Sequence, residues 1–142
     1  MKNDSLWKPD NGLSIPRGIY YRILKNIQIL SPEEACGLLV GSKGRVRRHL
    51  PIENIHHSQS RYRMEPRQQL KAILWMEDHY LDLLAIYHSH PQGPDELSET
   101  DIMEITFPET IYVIFFPDCN YWKAKGYLIR HYIPKEIPLK II

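Results

Sequence analysis

"YHSHPQGPDELSETD", residues 87–101, places two histidines one residue apart at the end of an apolar run. A Pro/Gly-rich loop follows, then a serine and an aspartate three residues apart. The run "DLLAIYHSH" (82–90) reads as a buried strand, and side chains along a strand repeat every two residues. His88 and His90 therefore point to the same side, where one metal ion could touch both. A catalytic zinc asks for three protein ligands and an open fourth position, so a third donor is required. Asp101 is the nearest candidate, because a helix beginning at Ser98 puts it in the first turn, facing the strand end. Ser98 and Asp101 also read as a helix cap with a capping-box acid at N3, with Leu97 and Ile102 as the accompanying hydrophobic staple.

Around this stretch the chain reads as one α/β (α+β) domain with a mixed sheet and two main helices. Residues 1–12 are polar and turn-rich and are expected to be loosely ordered, leaving 13–142 as the domain. After Pro16, the residues Ile19, Tyr20, Ile23, Leu24, Ile27 and Leu30 recur at helical spacing. Residues 35–52 read as a hairpin through the "SKG" turn, and Arg45, Arg47 and Arg48 read as the solvated face of an edge strand. A second helix is predicted after Pro66, burying Leu70, Ile73, Leu74, Glu77 and Leu81. "TIYVIFF" (110–116) has no polar face and belongs in the middle of the sheet. "YWKAKGYLIRHYI" supplies one or two further strands, and "IPKEIPLKII" an extended edge or tail.

Composition narrows the function classes. Eighteen Lys and Arg against seventeen Asp and Glu in 142 residues leave a formal net charge of +1, which gives no footprint for nucleic acid or an anionic membrane. No stretch approaches the roughly 18 apolar residues of a membrane helix, and the start of the chain lacks the apolar run of a signal peptide. The two cysteines, Cys36 and Cys119, form no CxxC pair. These features suit a cytoplasmic protein. Cys36 reads as a small buried hydrophobe. His49, His56 and His57 are expected at the surface, and His79 and His131 have no ligand spacing around them. Ser89, between the two histidines, should face away from them and is given no role.

The residues carry a family resemblance. "HSHPQGPDELSETD" resembles the H-x-H-P, six residues, S-x-x-D signature of the JAMM (MPN-plus, Mov34/MPN/PAD-1) zinc metalloisopeptidases. "PEEACGLLVG" (32–41) is similar to the family's glutamate ahead of a small-residue-Gly-hydrophobic strand, and "RYRMEP" (61–66) to the segment between the two motifs. The resemblance spans roughly residues 13–130 and is to the compact bacterial and archaeal members. It implies a cytidine-deaminase-like JAMM/MPN fold and one Zn²⁺ per chain on His88, His90 and Asp101. It further implies Glu34 as general base, with Glu33 the near miss, and Ser98 as oxyanion donor. The implied reaction is hydrolysis after the C-terminal Gly-Gly of a ubiquitin-like or sulfur-carrier protein, with a non-catalytic scaffold for such a protein as the alternative. A nucleobase deaminase would need H-x-E and P-C-x-x-C, and the sequence has neither.

Overall fold

The alternating and fully apolar runs of the sequence assemble into one eight-stranded mixed sheet in the computed structural model, which describes residues 6–142. The strands are β1 (Leu13–Ile15), β2 (Cys36–Ser42), β3 (Arg45–Ile52), β4 (Asp82–Ser89), β5 (Ile111–Asp118), β6 (Tyr121–Arg130), β7 (Ile133–Ile137) and β8 (Leu139–Ile141). The helices are α1 (Arg17–Leu30), α2 (Pro66–Asp78) and the short α3 (Glu99–Met103). Strand order is β7-β6-β5-β4-β2-β3-β1-β8. β5 is central and buried from Ile111 to Phe116, as an apolar run with no polar face requires.

The period of two sorts the core into halves. Leu39, Ala85, Tyr87, Val113, Phe115 and Leu128 face α1, whose Ile19, Ile23 and Ile27 are buried against them. Burying each isoleucine stabilises the fold by roughly 1.5–3 kcal/mol. Cys36, Leu38, Ile86, Tyr112, Ile114 and Ile129 face the opposite way, toward Met76 of α2 and Ile102 of α3. By the same alternation His88 belongs to this second face, under α2 and α3.

Several expectations change. The covered stripe of α2 is the buried Met76 with half-buried Ala72 and Ile73, while Leu70 and Leu74 are exposed. The helix is thus turned by roughly 100°, one residue, from the predicted face. Its start is as read: Pro66 is the first helical residue, and the Glu65 side chain accepts from the backbone N–H of Arg67 at 2.6 Å and Gln68 at 3.3 Å. β3 is not an edge strand, since β1 runs parallel to it through Ser14 and Arg45; the three arginines are nevertheless exposed.

Of the segment 1–12, residues 1–5 lie outside the described residues. Within the remainder, Pro9–Asn11 forms a 3-10 turn, and the Trp7 indole donates to Gly12 O at 2.8 Å. Asp10 accepts both terminal nitrogens of Arg130, at 2.8 and 2.9 Å, so this part is held in place.

The tail divides between both ends of the sheet. β7 pairs with β6 and β8 with β1, yet only Pro138 separates them. The two edges therefore meet at that residue and the sheet curls on itself, with Leu13 N donating to Pro138 O at 3.0 Å.

Candidate active site and metal centre

The site forms where the C-terminal end of β4 meets the start of β2. These strands are antiparallel with Cys36 opposite His88, and the pairing continues past the strand ends through a Ser89 N to Ala35 O bond of 3.0 Å. Extending that register puts Glu34 opposite His90. His90 is tied to the central strand by its N–H, which donates to Phe115 O at 2.8 Å. The first turn of α3 closes the third side.

His88 Nε2, His90 Nε2 and Asp101 Oδ2 lie 3.1 Å from one another in all three pairs. Two imidazole nitrogens and a carboxylate oxygen converging in this way present lone pairs to a common point. A tetrahedral site with bonds of about 2.0–2.1 Å has ligand-to-ligand edges of about 3.3–3.4 Å, so the triangle fits a small divalent ion with a slight expansion. One potential ligand atom from each of Glu34, His88 and His90 also lies within 4.8 Å of the other two, a group that could hold a metal ion. Glu34 is thus a neighbour of the triangle, and Asp101 is the carboxylate in direct contact with both histidines.

The cap and ligand readings of α3 coincide. Ser98 Oγ accepts the Asp101 N–H at 3.0 Å, and Asp101 Oδ2 accepts the Ser98 N–H at 2.9 Å, completing the capping box. The cap fixes the rotamer that sends Oδ2 to the histidines. Leu97 and Ile102 lie together in the second core cluster.

Electrostatics follow from burial. Glu34 is 4% exposed, and its Oε1 is buried with no hydrogen-bond partner among the described residues. Burial pushes its carboxyl up to about 8; the His90 charge opposes this and the Asp101 charge adds to it. Asp101 would also be raised by burial, but hydrogen bonds from His88 and His90 outweigh that and hold it well below the usual range. Desolvation lowers the fully buried His88 despite its bond to Asp101. For His90 burial acts downward too, yet Asp101 and the Pro94 carbonyl, 3.0 Å from Nδ1, together raise it. That second bond is the usual outer support of a ligating histidine. Among the described residues His88 Nδ1 has no partner, and its ring is stacked on Tyr62 with centroids 4.4 Å apart.

Glu33 and Glu34 separate cleanly. Glu33 Oε1 is 2.9 Å from His57 Nδ1 at the surface, whereas Glu34 points inward. Burial, reinforced by the Glu34 charge, pushes the Cys36 thiol up to about 12, which keeps it an inert apolar group.

Three contributors escaped the sequence reading. Ser89 does face away from the metal triangle, but it is fully buried and its Oγ accepts the Ala35 N–H at 2.8 Å. Asn54 uses its whole hydrogen-bonding capacity. Its Nδ2 donates to Glu34 O and Arg61 O, both at 3.0 Å, and its Oδ1 accepts from His56 N at 3.1 Å and Arg63 N at 3.0 Å. With Glu34 N donating to Ser58 O at 2.7 Å, Glu34 is gripped on both sides of its α-carbon. Tyr62 is the third, carried on the segment that Asn54 pins. Of the three, only Tyr62 lies in the "RYRMEP" segment to which the resemblance pointed.

His49 is a further correction. It is half-buried, with Nε2 2.6 Å from Tyr87 Oη, which in turn donates to Asn26 Oδ1 at 2.9 Å. Burial, then the Arg22 charge, pushes its imidazole down to about 4. His56 and His57 are exposed, as expected, and so are His79 and His131.

The fold and this cluster define a class of metal-binding hydrolase-like domain, and comparison with known proteins gives the family. The family model described as prokaryotic homologs of the JAB domain matches residues 16–125. The chain is 39% identical over 107 residues to the "Probable TtuB-protein conjugate cleaving protease" of Thermus thermophilus, covering 75% of this chain and 71% of that protein. It is 40% identical over 114 residues to the "CysO-cysteine peptidase" of Mycobacterium tuberculosis, covering 78% of each. The solution structure of a Desulfitobacterium hafniense protein superposes with a TM-score of 0.80 at 28% identity, covering 92% of this chain and 94% of the other. The chain belongs to the prokaryotic JAB-domain family. Among the described residues, no helix is long and apolar enough to cross a membrane.

Proposed function

We propose that this protein is a zinc-dependent peptidase or isopeptidase of the cytoplasm, built on residues 13–142. It hydrolyses the amide bond after the C-terminal Gly-Gly of a ubiquitin-like or sulfur-carrier protein. The observation that carries the reading is the triangle of His88, His90 and Asp101 with the unpartnered Oε1 of Glu34 beside it. The peptidase names of the relatives support it, one for conjugate cleavage and one for release of a cysteine.

In this reading His88, His90 and Asp101 would hold Zn²⁺. When bound, the metal supplies the Lewis acidity that lets a water lose its proton near neutral pH. Glu34 accepts that proton and returns it to the leaving amine nitrogen. Its dry surroundings favour the protonated form, and a cation in the adjacent triangle pulls its pKa back toward neutrality, a balance suited to moving a proton in both directions. The hydroxyl hydrogen of Ser98, which meets no acceptor among the described residues, is available to the carbonyl oxygen as charge develops on it.

The test is a carrier ending in Gly-Gly, extended by a cysteine or by a lysine-linked partner. The zinc-loaded protein cuts after the second glycine, and chelation stops cleavage while leaving the circular dichroism spectrum intact. Glu34→Gln keeps its zinc and loses turnover by a factor on the order of 10² or more. Glu33→Gln stays near wild type. His88→Ala, His90→Ala and Asp101→Ala lose zinc by elemental analysis. Full zinc retention in all three, or an active Glu34→Gln, refutes the assignment.

A further inference from the structure

His90 is oriented from behind. Its Nδ1 lies 3.0 Å from the Pro94 carbonyl, and a carbonyl can only accept, so Nδ1 carries the hydrogen and Nε2 turns its lone pair toward His88 and Asp101. His88 has no such support, since among the described residues its Nδ1 meets no partner. The aim of the triangle therefore depends on where the segment 91–97 holds the Pro94 carbonyl.

Strand register shows what holds it there. His88 of β4 pairs with Ile114 of β5, and Ile114 pairs with Lys125 of β6. One step back, Ile86, Tyr112 and Tyr127 form the next row but one on the same face. Paired residues share a face, so Lys125 and Tyr127 rise on the same side of the sheet as His88, two strands or about 10 Å away. The segment that leaves His90 crosses β5 and brings Asp95 onto these two side chains. Tyr127 Oη donates to Asp95 O at 3.1 Å, and Lys125 Nζ donates to Asp95 Oδ2 at 2.6 Å. The Lys125 ammonium also sits 5.9 Å from the centre of the Phe116 ring, within reach of its π face. Nearer His90 the segment has a local turn bond, Gly93 N to His90 O at 2.9 Å, and a surface bond from Gln92 Nε2 to Gln59 Oε1 at 2.9 Å.

The two anchors on β6 are unequal. The side chains of Lys125 and Asp95 are 34% and 49% exposed, and an ion pair so open to water contributes little. Tyr127 is buried, and removing its hydroxyl takes a sheltered donor from the Asp95 carbonyl. Asp95 is bonded directly to Pro94, so any shift of the Asp95 peptide reaches the acceptor of His90 Nδ1.

We infer that Tyr127, assisted by Lys125, is a positioning residue for the metal centre: it fixes the Asp95 peptide, through it the Pro94 carbonyl, and so the direction in which His90 Nε2 presents its lone pair. This rests on the reading of His88, His90 and Asp101 as zinc ligands. Losing the outer partner of a ligating histidine costs roughly ten- to a hundredfold in metal affinity. Tyr127 acts one residue beyond that partner, so a loss of about three- to tenfold is expected.

The test uses the metal alone on the full chain. Competition with a chromophoric chelator gives the zinc affinity, and the visible absorption of the cobalt-loaded protein reports the ligand geometry. Tyr127→Phe should weaken zinc about three- to tenfold and shift the cobalt bands, with one metal still bound per chain. Lys125→Met, at a partly exposed position that does not endanger folding, should act in the same direction but less, and Lys125→Arg should return to near wild type. Ile23→Val, buried under α1 on the opposite face of the sheet, lowers stability without touching this path, so its zinc affinity should match wild type. Melting temperature verifies that each variant folds. Wild-type affinity and cobalt bands in Tyr127→Phe overturn the positioning role and leave the zinc site standing. An equal loss in Ile23→Val does the same, because any destabilisation would then weaken the metal. No zinc binding by the wild type overturns the site and the positioning role together.

Discussion

Ser89→Ala isolates one hydrogen bond at the back of the site. Its Oγ accepts the Ala35 N–H at 2.8 Å in a fully buried position, and alanine leaves that donor without a partner. An unsatisfied buried N–H costs roughly 1–3 kcal/mol. For a chain of this size each kcal/mol moves the melting temperature by about 2–4 °C, so a fall of roughly 2–12 °C is expected. The kinetic effect comes through geometry. Ala35 is bonded to Glu34, whose own N–H and carbonyl remain held by Ser58 and Asn54. Glu34, the base of the proposed mechanism, therefore shifts by a fraction of an ångström. A full 1 Å displacement costs on the order of 10² in rate, so about tenfold in kcat is the expected loss. The assay measures turnover on a Gly-Gly-extended carrier, zinc content and melting temperature together. Zinc should stay at the wild-type level, because the histidine nitrogens face the other side of β4. Wild-type turnover with wild-type melting would refute the positioning role. Loss of zinc in step with activity would show that Ser89 acts through the histidines rather than through Glu34.

Two other substitutions probe the scaffold. His49 is neutral in the fold, with its pKa pushed from 6.5 down to about 4. Above pH 6.5 neither state is protonated at this residue, and between 6.5 and 4 only the unfolded chain takes the proton. Stability is therefore lost as the pH falls through that window, by up to about 3 kcal/mol from this residue. His49→Gln should flatten the fall in unfolding free energy between pH 6.5 and 4, and an unchanged acid slope in urea titrations would contradict the buried neutral imidazole. Gly37 lies where Tyr87 crosses β2: a Cβ there would meet Tyr87 Cε2 at 2.5 Å and Leu50 O at 2.6 Å. Gly37→Ala should cost roughly 1–3 kcal/mol and lower the melting temperature by at least about 2 °C, and no change would mean the ring does not lie across the strand.

What the sequence determined by itself is whatever depends on short spacing. The two-residue step from His88 to His90 puts both rings on one side, and the S-x-x-D spacing of Ser98 and Asp101 makes a capping box in any helix that starts there. α1 and the central β5 were legible for the same reason, since their buried positions repeat at a fixed local period. On α2 the pattern misled: Leu70 and Leu74 are apolar but exposed, and Ala72 and Met76 face the sheet. Leucine placement alone does not orient a helix, because the sheet beneath it decides which stripe is covered.

Only the tertiary structure decided the contacts set by strand register. The antiparallel alignment of Cys36 with His88 brings Glu34 to His90, and it lets Ser89 reach Ala35 across 54 residues of chain. The same is true of the Asn54 bonds to Glu34 and Arg61, the His49 to Tyr87 contact, and the separation of β7 and β8 to opposite ends of one curled sheet. A residue's own neighbours in sequence fix which face it occupies. Which distant residue shares that face depends on register, and a slip of one residue would send every one of these side chains to the other side of the sheet.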